Sequence, residues 1–136
     1  MQGLIGKKIG MTQVFDGDGR RVAVTVLEVG PCVVVQKKTV EKDGYEAVQL
    51  GFGEHKEKGV SKAALNRFKK IGSTPKVWLL EFTLDKGEEV KEGDAVTAAI
   101  FEGVPYVDVT GTTKGRGFQG VVKRHLMRGG PMTHGG

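Results

Sequence analysis

Residues 21–29, RVAVTVLEV, are the stretch that best indicates the fold class of this chain of 136 residues. The stretch is rich in β-branched residues, and apolar side chains fall on both of the faces that a β-strand would present. A strand that is apolar on both faces suits a closed barrel or a sheet beneath another layer. The two Asp-Gly pairs of residues 16–19 are typical of a hairpin turn, so a partner strand is expected over 11–15.

Short strands are predicted along most of the remaining chain. One helix is predicted over residues 62–71, because Ser61 can cap its start and Gly72 can end it. Strands without alternating helices favour a mainly β fold over a doubly wound sheet. We therefore expect a small β-barrel with a short helical insertion near residues 54–76. The further predicted strands cover residues 32–38, 45–52, 77–84, 95–101 and 106–110.

The charge of the chain divides it into two parts. Residues 1–110 hold 16 Lys/Arg and 16 Asp/Glu, whereas residues 111–136 hold five cations and no acid. The whole net charge of +5 therefore falls in the second part, which also holds 8 of the 22 glycines. We expect a β-barrel domain over 1–110 and a basic, Gly-rich extension over 111–136. Cations on a backbone with few side chains can approach phosphates closely, which points to nucleic acid and to RNA in particular.

The candidate phosphate contacts are the five cations of this extension. The glycines among them would let backbone amides approach phosphate oxygens. Gly115, Gly117 and Gly120 also spell G-x-G-x-x-G, but no acidic residue follows to hold a ribose, which argues against a dinucleotide site. The five cations are Lys114, Arg116, Lys123, Arg124 and Arg128.

Two features of the sequence leave alternatives open. Phe118 could stack on an unpaired base, or it could form the apolar side of one helical turn with Val121 and Val122. The cations of the predicted helix could form a solvated face or make a second RNA contact. Those helix cations are Lys62, Arg67, Lys69 and Lys70.

Catalytic and metal-binding chemistry are not expected. The three histidines are far apart in sequence, and Cys32 is the single cysteine, so no metal-ligand spacing and no cofactor site emerges. Cys32 lies in an apolar run and is expected to be a small buried hydrophobe in a reducing, cytoplasmic protein. We find no apolar run typical of a secretory signal or of a membrane span.

Residues 101–124, FEGVPYVDVTGTTKGRGFQGVVKR, resemble the signature of the large-subunit ribosomal protein L three family, in its bacterial form. Residues 3–15, 24–39 and 43–53 resemble the family's N-terminal part, and residues 129–135 match the start of its long extension. The signature positions are Phe101, Asp108, Gly111, Thr113, Gly115, Arg116, Gly117, Gly120 and Arg124.

This resemblance implies a fold, a role and a set of site residues. The fold would be the SH3-like or Greek-key barrel shared by several translation proteins. The role would be to bind large-subunit ribosomal RNA, to support early assembly beside neighbouring ribosomal proteins, and to help shape the region near the peptidyl-transferase centre. The implied RNA-binding residues are Lys7, Lys8, Thr113, Lys114, Gly115, Arg116, Gly117, Phe118, Gly120, Lys123, Arg124, His125 and Arg128.

Members of that family continue beyond the position of residue 136. A truncated chain, or a barrel closed in an unfamiliar way, is therefore expected. Missing strands would expose sheet edges, so self-association into a homodimer is one expected partnership. The alternative function is a protein-interaction barrel whose basic tail keeps it in solution.

Overall fold

Antiparallel strands dominate the computed structural model, which describes residues 3–84 and 88–134. The chain divides into two units, residues 1–103 and 104–136. The acidic, turn-rich segment over 85–94 is thus described only from residue 88, and the final two glycines lie outside the described residues. The strands are β1 (Gly6–Phe15), β2 (Arg21–Val29), β3 (Cys32–Lys38), β4 (Ala47–Glu54), β5 (Lys76–Thr83) and β6 (Ala95–Val96). The helices are α1 (Val40–Asp43), α2 (Lys62–Lys70) and α3 (Val121–His125), with 3-10 turns at Glu57–Gly59 and Ala98–Phe101.

The prediction of a mainly β fold with few helices is confirmed. Hydrogen bonds join the described strands into two antiparallel sheets. One is the hairpin of β1 and β2, and the other has four strands in the order β5-β4-β3-β6. Among the helices of the described ranges, none is long and apolar enough to cross a membrane.

The Asp-Gly pairs do form the turn of the first hairpin. Asp16 accepts hydrogen bonds from Gly17 N at its carboxylate and from Gly19 N at its carbonyl oxygen, at 2.8 and 2.9 Å. Gly19 has a φ of 73°, which favours glycine at that position. β1 begins five residues before the predicted strand, because its pairing with β2 continues from Phe15 back to Gly6.

The apolar residues of β2 are not enclosed as their pattern predicted. Val22 and Val26 are each 42% exposed, and Leu27 on the other face is 38% exposed. Within the described part of the first unit, no helix and no strand other than its partner packs extensively against either hairpin strand. The described part of this unit therefore leaves partly exposed the apolar faces that the sequence pattern predicted to be buried.

The hydrophobic core lies on one face of the four-stranded sheet. Val34 of β3 and Leu50 of β4 stand opposite each other, and both are fully buried. Alternate residues of these strands supply the other buried core side chains except that of Ile5, which precedes β1. Partly buried Leu4, Phe82, Leu84, Val90 and Val96 pack against this core. Its buried members are Ile5, Cys32, Val34, Val48, Leu50 and Phe52.

Cys32 is a buried hydrophobe, as predicted. Its side chain is fully buried, and its Sγ lies 3.5 Å from the carbonyl oxygen of Ile5. Burial raises the pKa of the Cys32 thiol, because the thiolate would lose its hydration in the core. The residue is therefore held as an unreactive thiol.

A register shift in β3, between Val34 and Gln36, changes the face of the four-stranded sheet on which its side chains lie. Val34 pairs with Leu50 on the core face, whereas Gln36 pairs with Gln49. Because residue 49 is adjacent to residue 50, both glutamines belong to the opposite face. The bulge therefore places Gln36 beside Gln49 on the face opposite the core, and we call these two glutamines the polar platform.

Helix α2 interacts with this platform through Arg67. The Arg67 Nη2 donates to the Oε1 atoms of Gln36 and Gln49, at 2.6 Å each. Phe68 is the buried side chain of the helix. Ser61 accepts a hydrogen bond from Ala64 N at 3.4 Å, so the predicted cap is confirmed.

The predicted C-terminus of α2 is also confirmed. Gly72 has a φ of 70°, and its N–H donates to the carbonyl oxygen of Lys69. Ser73 N donates to the carbonyl oxygen of Phe68, which completes a Schellman motif.

A polar cluster ties β3, the segment after α1, and β5 together. The Tyr45 hydroxyl donates to Glu81 at 2.8 Å, and Lys38 Nζ lies 3.3 Å from Asp43 and 3.6 Å from Glu81. The hydrogen bond to Asp43 is the main cause of a raised pKa at Lys38. The hydrogen bond to Glu81 likewise raises the pKa of Tyr45.

The connection between the paired strands β3 and β4 contains a helical turn, α1, which Gly44 ends with a φ of 84°. Two local predictions were wrong. The strand expected over 95–101 is reduced to β6, which pairs only with Cys32 and Val33, and a 3-10 turn follows. Residues 106–110 form no strand, because the described part of their unit contains no strand to receive their backbone hydrogen bonds.

Leu50→Ala should lower the free energy of unfolding by about 2–5 kcal/mol, because it leaves a cavity in the core. Leu80→Ala is the matched control: Leu80 stands opposite Leu50 on β5 but is 55% exposed. Urea unfolding should give a much smaller loss for Leu80→Ala. Equal losses would contradict the assignment of the core to β3 and β4.

Arg67→Met should lower the free energy of unfolding by about 1 kcal/mol, because Gln36 and Gln49 lose their donor. Lys70→Met, on the same helix, should have almost no effect on stability. Thermal unfolding of both variants checks the prediction. No difference between them would mean that Arg67 does not hold the helix to the sheet.

Cys32 should resist alkylation in the folded protein, because its thiol is buried and its pKa is raised. A thiol reagent at pH 8 should label the native chain slowly and the urea-unfolded chain rapidly. Intact mass measured over time distinguishes the two rates. Rapid labelling without denaturant would show that the core opens around Cys32.

Candidate nucleic-acid interface

The second unit presents its predicted RNA-binding residues to solvent. Residues 104–120 have no regular secondary structure, and α3 is the only regular element in the described part of this unit. The exposed candidates of this unit are Thr113, Lys114, Gly115, Arg116, Gly117, Phe118, Gly120, Lys123, Arg124, His125 and Arg128.

The glycine loop is open on its side-chain side. At Gly115, Gly117 and Gly120, no atom of the described residues, apart from those of the glycine and its two chain neighbours, lies within 4 Å of the position that a Cβ would occupy. Gly117 has a φ of 68°, so its backbone conformation favours glycine. For Gly115 and Gly120, neither the protein's own packing nor a positive φ requires glycine.

One contact within the loop was not foreseen from the sequence. The Gln119 side-chain amide donates to the carbonyl oxygen of Arg116, at 3.5 Å. This long hydrogen bond spans three residues and folds the loop back on itself beside Gly117. The sequence signal for this contact was the three-residue spacing between Arg116 and Gln119, and that spacing is too common to predict a hydrogen bond.

Helix α3 begins after Phe118, which corrects one of the two interpretations of that residue. Gly120 is its N-cap residue, and its carbonyl oxygen accepts from Lys123 N and Arg124 N at 3.1 and 3.0 Å. Val121 and Val122 are in the helix, whereas Phe118 precedes it and is fully exposed. Phe118 therefore does not form one helical turn with the two valines.

The cations of this unit are not neutralised by their own unit. Asp108 is the one acidic residue between positions 104 and 136. In the described part of the unit, none of the five cations forms an ion pair. Lys123 and Arg124 lie in the last turn of α3, next to His125. The result is a run of exposed positive charge on a short, irregular segment.

Lys7 and Lys8, the remaining candidates, belong to β1 in the first unit. Both are exposed, and in the register of the hairpin Lys7 stands opposite Glu28 while Lys8 stands opposite Leu27. A cross-strand carboxylate reduces the net charge around Lys7. Lys8 has an apolar cross-strand neighbour instead.

The geometry of the loop does not fit a dinucleotide site. In the described residues of its unit, no strand precedes the G-x-G-x-x-G segment, and the helix after it has five residues. The βαβ arrangement that positions a pyrophosphate is therefore missing from this part of the chain. Among the described residues, no group of three or more His, Cys, Asp or Glu side chains could hold a metal ion.

Comparison with known proteins connects this loop to a family. The ribosomal protein L3 family matches residues 71–136. The chain is 50% identical over 135 residues to large ribosomal subunit protein uL3 of Brachyspira hyodysenteriae, and 53% identical over 134 residues to that of Heliobacterium modesticaldum.

These alignments cover 99% and 98% of the chain. They cover 62% and 64% of the two relatives, so the chain spans a little less than two thirds of their length. The resemblance stated from residues 101–124 is thereby confirmed. The chain is thus similar to the ribosomal protein L3 family over residues 71–136, and to the two uL3 relatives over nearly its whole length.

Proposed function

We propose that this chain is a structural, non-catalytic constituent of the large ribosomal subunit that binds large-subunit ribosomal RNA through its second unit. The observation that carries the proposal is the exposed positive charge of residues 114–128, which meets no carboxylate within the described part of that unit. Phosphates of an RNA backbone would supply the missing negative charge and release counterions on binding.

The open glycine loop supports the same partner. A backbone without side chains at positions 115, 117 and 120 can approach a phosphate to hydrogen-bonding distance through its N–H groups. Lys114 and Arg116 flank the loop and supply charge on either side of Gly115. Phosphate contacts of this kind fix position and orientation on RNA without reading its bases.

Phe118 is available to contact an RNA base by stacking. Its ring is fully exposed and lies outside α3. Ribosomal RNA contains unpaired bases, and aromatic rings stack on such bases. We assign Phe118 to base stacking, between the cation Arg116 and the helix cations Lys123 and Arg124.

The domain organisation completes the proposal. In this proposal residues 1–110 are the β-rich body, with the helical insertion near 54–76, and residues 111–136 are the basic segment that contacts RNA. Residues 104–110, at the end of that body, belong to the second unit and form no strand. The names of the two relatives place those proteins in the large ribosomal subunit. By analogy, this chain acts in the cytoplasmic ribosome beside other large-subunit proteins, supports early subunit assembly and contributes to the region near the peptidyl-transferase centre.

A protein-interaction role is the second candidate, because one apolar surface of the body is uncovered. Trp78 and Leu80 of β5 stand opposite core residues Phe52 and Leu50, yet they are 62% and 55% exposed. β5 is also an edge strand of its sheet, and among the described strands it pairs only with β4. Such a surface suits a neighbouring protein or a second copy of the chain.

Arg116→Ala with Arg124→Ala should weaken binding to large-subunit RNA fragments strongly. If all five cations engage, they should contribute about −3.5 to −4.5 to the slope of log K against log salt for the wild-type chain. Removing two contacts should reduce its magnitude by about 1.5 to 2. Electrophoretic mobility shifts at several salt concentrations measure both quantities.

The control is Lys42→Ala with Lys91→Ala, which removes the same charge from exposed positions of the body. This variant should leave the salt slope close to that of the wild type. Equal effects of the two variants would show that the second unit is not the RNA contact. A wild-type chain that causes no RNA-dependent shift would favour the protein-interaction role.

A further inference from the structure

We propose that the outward face of α2, formed by Lys62, Lys69 and Lys70, is a second phosphate-binding surface that contacts the RNA backbone. This inference rests on the proposed RNA-binding function and extends it to the first unit. The partner chemistry is a polyphosphate chain bound through point charges, without base recognition.

The first observation is a local excess of charge that the balanced total of the body conceals. Residues 1–110 are neutral as a whole, but residues 58–80 contain six cations and no acid. This charge density is similar to that of the basic segment at the C-terminal side. The six cations are Lys58, Lys62, Arg67, Lys69, Lys70 and Lys76.

The second observation is the direction in which the helix presents its lysines. Phe68 is buried, and Ala64 and Leu65 beside it are partly buried, so this side of α2 faces the sheet. Lys62 and Lys70 are separated by eight residues and therefore lie on one face, opposite the packed side. Lys69 lies seven residues after Lys62 and borders the same face. All three lysines are exposed.

The third observation separates these lysines from Arg67 and Lys76 of the same stretch. Arg67 donates hydrogen bonds to Gln36 and Gln49. Lys76 Nζ lies 4.0 Å from Glu54 and donates a hydrogen bond to Thr74. By contrast, Lys62, Lys69 and Lys70 form no ion pair or side-chain hydrogen bond with any residue in the described ranges. Their charge is therefore available to an external partner.

The nearest acidic loop does not neutralise them. Gly93 approaches the carbonyl oxygen of Ile71 at the end of the helix, which brings residues 91–94 close to it. In that loop, Glu92 accepts a hydrogen bond from Lys37 N, and Asp94 accepts one from Lys91 N. Both carboxylates thus bond to backbone N–H groups, Glu92 to one on β3 and Asp94 to one within its own loop.

The spacing of the lysines fits a phosphate chain. A helix rises about 1.5 Å per residue, so Lys62 and Lys70 lie about 12 Å apart along the axis and can reach different phosphates. A helix whose exposed face is merely solvated commonly intersperses Glu with Lys, because such pairs stabilise it. This face has no acid, and like charges repel. Phosphates bound to it would remove that repulsion.

The experiment neutralises the three lysines together, as Lys62→Gln, Lys69→Gln and Lys70→Gln in the full chain. Binding to large-subunit RNA fragments is measured across a salt series. Three lost contacts should reduce the magnitude of the salt slope by about 2 to 3. The matched control is Arg20→Gln, Lys42→Gln and Lys91→Gln, which removes the same charge from other exposed positions.

The control should leave the slope within 0.5 of the wild-type value, taking about 0.7–0.9 per phosphate contact. Circular dichroism and thermal unfolding of both variants verify that the fold is intact. An unchanged slope for the helix variant, or an equal change in both variants, overturns the proposal. If the wild-type chain binds no RNA, the proposed function fails and this inference fails with it.

A second measurement locates the RNA directly. Asn66 lies between Lys62 and Lys70 on the outward face and is exposed, whereas the native Cys32 is buried. Asn66→Cys can therefore carry a tethered iron chelate that cleaves nearby RNA. Gln119→Cys in the second unit and Glu41→Cys on α1 are the comparison sites.

Cleavage from residues 66 and 119, and none from residue 41, is the expected result. Cleavage from residue 119 alone overturns the second surface and leaves the proposed function intact. No cleavage from any site, with no binding in the salt series, overturns both. Equal cleavage from all three sites shows that the chain binds RNA without a defined surface, and it also overturns the proposal.

Discussion

The pairing of β3 with β4 is the constraint on which the rest of the first unit depends. Its register places Val34 against Leu50 in the core and then, after one irregularity, Gln36 against Gln49 on the opposite face. Hydrophobic burial therefore holds one side of the sheet, while two short hydrogen bonds from Arg67 hold helix α2 to the other. Without that shift, either a glutamine would enter the core or a valine would meet the guanidinium group, and both arrangements cost free energy.

This constraint also determines which cations are free. Holding α2 to the sheet uses Arg67, and the polar cluster around Glu81 uses Lys38. The exposed lysines of α2 and the cations of the second unit have no such structural role in the described residues. Cations of both kinds occur in one helix, only two positions apart at Arg67 and Lys69. Some cations of a segment are bonded within the protein. The net charge of the segment is therefore larger than the charge available to an RNA partner.

Much of the fold was predictable where local chemistry decides it. The Asp-Gly turn, the Ser61 cap, the Gly72 terminus and the burial of Cys32 were all predicted correctly, because each follows from the conformational preference or polarity of one or two residues. The strand predicted over 106–110 was wrong, because a strand exists only where a neighbour completes its hydrogen bonds. The same limit applies to the strand predicted over 95–101, which is paired for only two residues. For the candidate site, the charged loop and its glycines were recognisable from sequence, whereas the start of α3 after Phe118 was not.

The sequence by itself determined the mainly β character, the family resemblance and the segregation of charge, because alternation, signature positions and composition are properties of the chain alone. Only the tertiary structure decided which residues stand opposite one another and which charges find partners. Register and ion pairing depend on distances between residues far apart in sequence, such as Arg67 and Gln36, and those distances exist only once the sheet has formed. For the same reason, the sequence left Lys62, Arg67, Lys69 and Lys70 as one group. All four are exposed, but in the folded chain only Arg67 bonds to the sheet, and the three lysines have no side-chain partner among the described residues.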